Sequence, residues 1–194
     1  MKLGAHNSFT YLKPKYWYGW IIRFTAKCQE VDIYEQYEKY GVRVFDFRIR
    51  KGDDGKVELA HGLVAYKNSA DELNRALRYL DEKGDSSVKI ALETRTFWQK
   101  SNEQSQWFIN YCSMLEKEFE HIYFYGGKES SSGDSIYIFR NKALSSDGYH
   151  ASWATKTKLD DIYPRAYAKR NNKKWYEKGT DKDVMFLDFV NLND

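Results

Sequence analysis

The chain has 194 residues, of which 42% are hydrophobic and 30% are charged. This length predicts a single domain over residues 1–194 that buries about 70% of its unfolded surface without a metal or disulfide. With 31 basic and 28 acidic residues the net charge is only +3, which argues against a nucleic-acid-binding protein. An aromatic content of 17% excludes a disordered chain.

Cysteine usage and hydropathy narrow the class of protein further. Two cysteines, Cys28 and Cys112, exclude a disulfide framework and a four-thiolate metal site. The sequence has neither an apolar run of about eighteen residues nor a signal-peptide core at its N-terminus. We therefore expect a monomer without a membrane span, cytoplasmic or secreted with its leader removed.

The first part of the chain predicts a strand over residues 2–5 and then a helix that ends at Gly41. The apolar stripe of this helix consists of Ile33, Tyr37 and Tyr40. Strands over 42–49 and 56–60 follow. Because the turn signal at 53–55 leaves too few residues for a helical crossover, these two strands predict a hairpin. The alternative is a pair of neighbouring strands in a barrel that lacks one helix.

Beyond residue 68 the helical patterns carry clear start and stop signals. Residues 69–72 form a capping box ahead of an apolar stripe that Gly84 closes, and residues 101–104 repeat the box before a second helix. A further helix is predicted over 160–170. The remaining strands are predicted over 88–94, 122–125, 135–140 and 184–190, with a weaker one over 149–153.

Alternation of strands and helices predicts an α/β fold with a mainly parallel sheet. Seven or eight strands favour a barrel. A (β/α)₈ barrel usually needs about 200 residues or more, so we expect a small, trimmed TIM barrel.

Two of the four histidines stand directly after short strands. His6 follows the strand over 2–5, and His61 follows the strand over 56–60. Asp46 and Arg48 lie on a third strand. Strand ends are where α/β folds place active-site side chains, although a single histidine there is more often structural. His121 precedes a strand, which favours a role in stability, and the role of His150 is undetermined.

Residues 16–24 carry five large aromatic rings beside several basic residues. Such a composition suits a membrane interface, so transient contact with a membrane surface is one interpretation. We expect instead a loop whose rings pack over the top of the barrel, because a soluble surface rarely exposes so many.

Three short motifs follow one another in the first third of the chain. They are Gly-Ala-His-Asn-Ser at 4–8, Gly-Val-Arg-Val-Phe-Asp-Phe-Arg at 41–48 and Glu-Leu-Ala-His-Gly at 58–62. In this order they resemble the catalytic X region of phosphatidylinositol-specific phospholipase C. Residues 89–93 and 186–191 are similar to the fourth and last strands of that family. The similarity is strongest over residues 2–98.

The resemblance implies a trimmed and distorted TIM barrel and a phosphodiesterase that uses two histidines. It makes His6 the general base that deprotonates the attacking hydroxyl, and His61 the general acid that protonates the leaving alcohol, so that a cyclic phosphate forms. It makes Asp188 the carboxylate that orients His6, as in a catalytic triad.

The same resemblance implies that no metal cofactor is needed. Arg48 stands where metal-dependent members have an acidic residue of a calcium site, and its guanidinium is expected to bind the phosphate. Asn7 and Asp46 are expected to tune the histidines, and Asp46 and Glu93 to line the substrate site. If calcium or magnesium binds, its ligands are Asn7, Asp46 and Glu93, which are few for calcium because it takes about six to eight.

The predicted partner is a small phosphodiester or a phospholipid headgroup. We do not expect a nucleic-acid partner. One alternative is a metal-dependent glycerophosphodiester phosphodiesterase or sphingomyelinase-like enzyme, which Arg48 disfavours. Another is a non-catalytic module that binds phospholipid headgroups, which the presence of both His6 and His61 disfavours.

Overall fold

The computed structural model describes residues 2–93, 101–126, 149–150, 160, 162–178 and 184–192. Within these residues the chain forms eight strands and five helices built on a mainly parallel sheet. The predicted α/β class is therefore confirmed. The predicted strand over 135–140 lies outside the described residues.

Most elements lie close to their predicted positions. The strands are β1 (Lys2–Ala5), β2 (Val44–Lys51), β3 (Val57–His61), β4 (Val64–Ala65), β5 (Ser87–Leu92), β6 (Tyr123–Gly126), β7 (Tyr149–His150) and β8 (Val184–Leu187). The helices are α1 (Trp17–Ala26), α2 (Ile33–Glu38), α3 (Ser69–Lys83), α4 (Ser101–Glu118) and α5 (Pro164–Lys178). A 3₁₀ turn, Val190–Leu192, follows β8. The helix predicted over 160–170 runs further, to Lys178, and residues 160 and 162 are also helical.

The sheet places β1 at its centre, between β8 and β2. Six strands run parallel in the order β7-β8-β1-β2-β5-β6. The second half of β2 also pairs with β3, in antiparallel register from Ile49 opposite Leu59 to Lys51 opposite Val57. The predicted hairpin is therefore present. In the described residues β6 and β7 form the two edges of the parallel run, so these strands make an open sheet and not a closed barrel.

Strand β2 brings polar side chains into the middle of the sheet because its side chains alternate between the two faces. The apolar members, Phe45, Phe47 and Ile49, are fully buried in the main core cluster. The polar members on the opposite face are Asp46, Arg48 and Arg50. One face of β2 therefore builds the core and the other builds a polar site.

Helix α3 confirms one predicted terminus and corrects the other. Gly84 adopts φ +71° and its N–H donates to the Leu80 carbonyl at 3.1 Å, which ends the helix as predicted. The predicted capping box is wrong. The N-cap residue is Asn68, which is left-handed and makes no side-chain cap, and the Ser69 hydroxyl donates back to the Tyr66 carbonyl at 2.7 Å. Ser69 is already helical and cannot serve as the cap.

The aromatic segment over 16–24 is a helix and not a loop, and its rings do not pack over the sheet. Four large apolar side chains at helical spacing face solvent, with exposed fractions of 77% for Trp17, 50% for Trp20, 64% for Ile21 and 55% for Phe24. The buried side of α1 carries Gly19 and Ala26. Small residues allow α1 to lie close to the protein, so its large side chains are left outside. Among the described helices, none is long and apolar enough to cross a membrane.

Candidate active site

The predicted site residues come together at the carboxyl ends of neighbouring parallel strands. His6 follows β1, Asp188 follows β8, and Asp46 lies on β2. Strand β1 pairs with both β8 and β2, and the chain stays tied to them beyond its end. The His6 N–H donates to the Leu187 carbonyl at 3.0 Å, and the Ser8 N–H donates to the Asp46 carbonyl at 2.9 Å. Residues far apart in sequence therefore share one end of the sheet.

His6 is held at both ring nitrogens. Its Nδ1 lies 2.6 Å from the Asp188 Oδ1, and its Nε2 lies 2.8 Å from Arg48 Nη2. A carboxylate only accepts and a guanidinium only donates. Nδ1 therefore carries the proton, whereas Nε2 is an unprotonated acceptor that faces Arg48. Since His6 and Asp188 are both almost fully buried, this pair is shielded from water.

Arg48 links the carboxylates of the site. Its Nε donates to Asp46 Oδ2 at 3.2 Å, and its Nη1 donates to Glu93 Oε2 at 3.4 Å. The guanidinium is only 17% exposed. Burial disfavours its charge, but the nearby carboxylates of Asp46 and Glu93 outweigh burial and raise the Arg48 pKa. Arg48 is therefore a permanent cation at the centre of the site.

Asn7 and Asp46 lie beside this cation. The Asn7 backbone N–H donates to Asp46 Oδ2 at 3.1 Å, the same oxygen that Arg48 contacts. Asp46 is completely buried. The Asn7 side chain is also buried, and its amide nitrogen has no hydrogen-bond partner among the described residues. A buried donor without a partner is costly, so it favours an oxygen-rich ligand at this place.

His61 faces His6 from the other side of the site. The two ring centroids are 6.0 Å apart and the rings are nearly perpendicular, at 84°. His61 Nδ1 donates to the Ala26 carbonyl at 2.8 Å, so its Nε2 is the nitrogen left to exchange a proton. Burial lowers the His61 pKa from its ordinary value of 6.5, and the neighbouring His6 and Arg48 lower it further.

The turn after His61 is clamped on both sides by charged side chains. The Gly62 N–H donates to Glu93 Oε1 at 3.0 Å, and the Gly62 carbonyl accepts from Arg50 Nη1 at 2.9 Å. Arg50 is itself buried and paired with Glu58 at 2.7 Å. Sequence reasoning assigned no role to Arg50. Its alternation with Asp46 and Arg48 along β2 is the signal that places it on the polar face.

The residue directly after each member of the His6–Asp188 pair has a strained backbone. Asn7 adopts φ +43° and Phe189 adopts φ +49°. Asparagine tolerates this conformation, whereas a bulky residue does so only when its surroundings impose it. At Phe189 they do: its N–H donates to the Cys28 carbonyl at 2.5 Å, and Asn172 donates to its carbonyl at 3.1 Å. No pattern in the sequence signals this strain.

Cys28, like Arg50, lies next to the site and was not identified from the sequence. Its buried Sγ lies 3.7 Å from His61 Nδ1. The cysteine lies two residues beyond the end of α1, so only the tertiary fold brings it here.

His121 is outside the site and bonds Asp81. His150 lies on β7 opposite Phe186.

Comparison with known proteins identifies the fold. No family model and no curated protein matches the chain. A solved structure of a point variant of phosphatidylinositol-specific phospholipase C from Staphylococcus aureus does match, with a TM-score of 0.60 and 13% identity over 97% of this chain and 84% of that one. A pentafluoro-Phe form of the same protein gives a TM-score of 0.54, again at 13% identity, over 97% and 85% of the two chains. The chain has a phosphatidylinositol-specific phospholipase C-like fold.

The electrostatic coupling of Arg48 and His61 is testable by titration. Replacing Arg48 by glutamine removes one of the charges that lower the His61 pKa, so we expect this pKa to rise in the variant. The measurement is a nuclear magnetic resonance titration of histidine-labelled protein. Arg43→Gln is the matched control, because Arg43 pairs with Asp85 outside the site. An unchanged or lower His61 pKa in Arg48→Gln would contradict the coupling.

Proposed function

We propose that the chain is a metal-independent phosphodiesterase that cleaves phosphoinositide-like or related phosphodiesters through a cyclic phosphate. The observation that carries this proposal is the pair of imidazoles, 6.0 Å apart, with an arginine beside one of them. The phospholipase C-like fold supports it. In this proposal residues 1–194 form one catalytic domain that corresponds to a trimmed TIM barrel.

The first proposed step is proton abstraction by His6. Its unprotonated Nε2 takes the proton of a substrate hydroxyl next to the phosphate, and the resulting oxygen attacks phosphorus. Asp188, which accepts from Nδ1 at 2.6 Å, keeps the tautomer that makes Nε2 basic. The same carboxylate stabilises the imidazolium that forms, because an opposite charge favours the protonated ring.

The second proposed step is protonation of the leaving group by His61. As the bond from phosphorus to the leaving oxygen breaks, His61 Nε2–H gives its proton to that oxygen, and an alcohol departs from the cyclic phosphate. The Ala26 carbonyl holds the ring by Nδ1. Because His61 has a lowered pKa in the free protein, a bound phosphodiester anion helps by raising that pKa and favouring the charged acid.

Arg48 and Asn7 are the proposed phosphate contacts. The guanidinium presents several N–H donors in one plane, which suits bidentate contact with phosphoryl oxygens. Its charge stabilises the negative charge that develops on those oxygens during attack. The buried Asn7 amide, which lacks a partner among the described residues, supplies a further donor for a substrate oxygen.

The position of Arg48 supports metal independence. Its guanidinium contacts both Asp46 and Glu93, the two carboxylates that a calcium or magnesium ion would need. A divalent ion bridging them would lie next to a buried cation, and charge repulsion disfavours that arrangement. The metal-dependent alternative with Asn7, Asp46 and Glu93 as ligands would require Arg48 to move away.

A membrane surface is the proposed place of contact with substrate. The exposed apolar side of α1 consists of Trp17, Trp20, Ile21 and Phe24, and Tyr163 lies beside Phe24 with ring centroids 6.2 Å apart. Aromatic rings of this kind partition into the headgroup region of a bilayer. Helix α1 ends at Ala26, whose carbonyl holds His61. The same helix would thus bring the general acid to the lipid surface.

The leaving-group dependence of the two histidine variants tests the proposed roles. An alkyl alcohol needs a proton to depart, whereas p-nitrophenolate is stable as an anion. We therefore expect His61→Ala to lose about 10²- to 10⁴-fold in rate on an alkyl phosphodiester and much less on the aryl one. We expect His6→Ala to lose activity on both, because the attacking hydroxyl needs a base in either case.

Phosphorus nuclear magnetic resonance follows this reaction directly and shows whether a cyclic phosphate forms. His121→Ala is the matched control, since His121 is exposed and bonds Asp81 away from the site. Equal losses for His6→Ala and His61→Ala on both substrates would contradict the acid and base roles. Absence of turnover by the unmodified protein on every diester tested would favour the headgroup-binding alternative.

Chelation tests whether Arg48 or a bound metal ion supplies the positive charge for catalysis. We expect turnover of a phosphodiester to persist in excess EDTA, because the Arg48 guanidinium already supplies the positive charge. The comparison is the initial rate before and after chelation, and after adding calcium or magnesium. Loss of activity that either ion restores would support the metal-dependent enzyme instead.

Vesicle binding tests the role of α1. We expect the double variant Trp17→Ala/Trp20→Ala to bind phosphatidylcholine–phosphatidylglycerol vesicles at least about tenfold more weakly, since burying one such ring is worth more than 1.4 kcal/mol. Co-sedimentation measures the bound fraction. Tyr176→Ala, which removes an exposed ring of α5, is the control and should bind normally. Equal binding by all three proteins would contradict a membrane role for α1.

A further inference from the structure

The proposed mechanism leaves one potential metal ligand of the site unused. Cys28 contributes a buried thiol next to the catalytic histidines. One ligand atom from each of His6, Cys28 and Asp188 lies within 4.8 Å of the other two. We call these three residues the Cys28 cluster. A sulfur, a nitrogen and an oxygen donor at such short range are a typical ligand set for zinc.

The charge around this cluster favours a cation. Three carboxylates, those of Asp46, Asp188 and Glu93, lie around the two imidazoles; Arg48 contacts Asp46 and Glu93, whereas Asp188 contacts His6. When both histidines are neutral, the carboxylates exceed the guanidinium by two charges. Asp46 and Asp188 are almost fully buried, so water screens this excess poorly.

Arg48 disfavours a cation at the oxygen-only set of Asn7, Asp46 and Glu93, but not at the Cys28 cluster. Arg48 contacts His6 at Nε2, and Asp188 contacts the same ring at Nδ1, on the opposite edge. The guanidinium therefore lies between Asp46 and Glu93 but not between His6 and Asp188. A thiolate ligand also selects zinc and similar soft ions over calcium and magnesium.

We propose that His6, Cys28 and Asp188 form an inhibitory binding site for a soft divalent cation such as zinc. On binding, the thiol releases its proton and the sulfur becomes a ligand, so that the metal and the proton exchange one for one at Cys28. His6 becomes a ligand through Nδ1, whose proton moves to Nε2 and breaks the contact with Arg48 there, and Asp188 becomes a ligand through a carboxylate oxygen. The inhibition, unlike the binding, rests on the proposed function, because it removes His6 as a base.

The chain contains its own control cysteine. Cys112 is also buried, but it lies on α4 in the main core cluster, away from the site. Burial raises the pKa of the Cys112 thiol, which keeps it protonated and a poor metal ligand. Cys112→Ser therefore removes one thiol without changing the Cys28 cluster.

Cobalt(II) serves as the spectroscopic probe of binding. A cobalt ion bound to sulfur shows an intense thiolate-to-metal charge-transfer band in the near ultraviolet. In EDTA-treated full-length protein we expect this band to saturate at one cobalt per chain, and zinc to abolish it by competition. The band should persist in Cys112→Ser and be absent in Cys28→Ser. Its absence in the unmodified protein, or its presence in Cys28→Ser, would overturn the site.

A second variant keeps the test decisive if Cys28→Ser does not fold, which circular dichroism would show. Asp188→Asn retains the sulfur and weakens one oxygen ligand. We expect the cobalt band to appear at a metal concentration at least about tenfold higher than for the unmodified protein. An unchanged cobalt titration in Asp188→Asn would exclude this carboxylate as a ligand and overturn the proposed set.

Rate measurements with zinc test the inhibition separately. The readout is the ratio of phosphodiester turnover with and without zinc for each protein. We expect zinc to inhibit the unmodified protein and Cys112→Ser, with recovery in EDTA, and Cys28→Ser to need at least about tenfold more zinc. An active protein without the cobalt band would overturn the metal site alone. A band in a protein without turnover would overturn the proposed function alone.

Discussion

The buried guanidinium of Arg48 is the interaction on which the rest of the site depends. It contacts His6 after β1, Asp46 within β2 and Glu93 after β5, and so joins three neighbouring strands. Buried carboxylates at this density would repel each other and become protonated without a cation among them. Removing one partner from a buried ion pair typically costs about 3–5 kcal/mol. Arg48 therefore supports the fold of the site as well as its proposed chemistry.

Backbone groups set the orientation of the two histidines as much as side chains do. The Ala26 carbonyl at the end of α1 fixes His61, and the turn after His61 is held through both backbone groups of Gly62. On the other side, Asp188 is followed by a strained Phe189 whose N–H binds the Cys28 carbonyl. Helix α1, which exposes its aromatic rings, therefore helps to hold the site in place. The segment with Cys28 does the same.

Sequence patterns predicted the helices and strands better than the caps and side-chain packing around them. The alternation of strands and helices, the hairpin at 53–55 and the end of α3 at Gly84 follow from local preferences and are present in the structure. The capping box at Ser69 and the buried aromatic loop are absent. In both cases the local pattern was compatible with a second arrangement: Asn68 already turns the chain, and the small residues of α1 leave its rings outside.

The sequence by itself determined the α/β class and a short list of candidate site residues, because strand ends, histidines and an alternating β2 are local features. Strand ends pointed to His6, His61, Asp46 and Arg48, and the resemblance to the phospholipase C family added Asp188. Only the tertiary structure decided which nitrogen of each histidine acts as the donor, and that Cys28 adjoins both rings. Proton positions and sulfur contacts depend on distances between segments up to 182 residues apart, which no local pattern encodes.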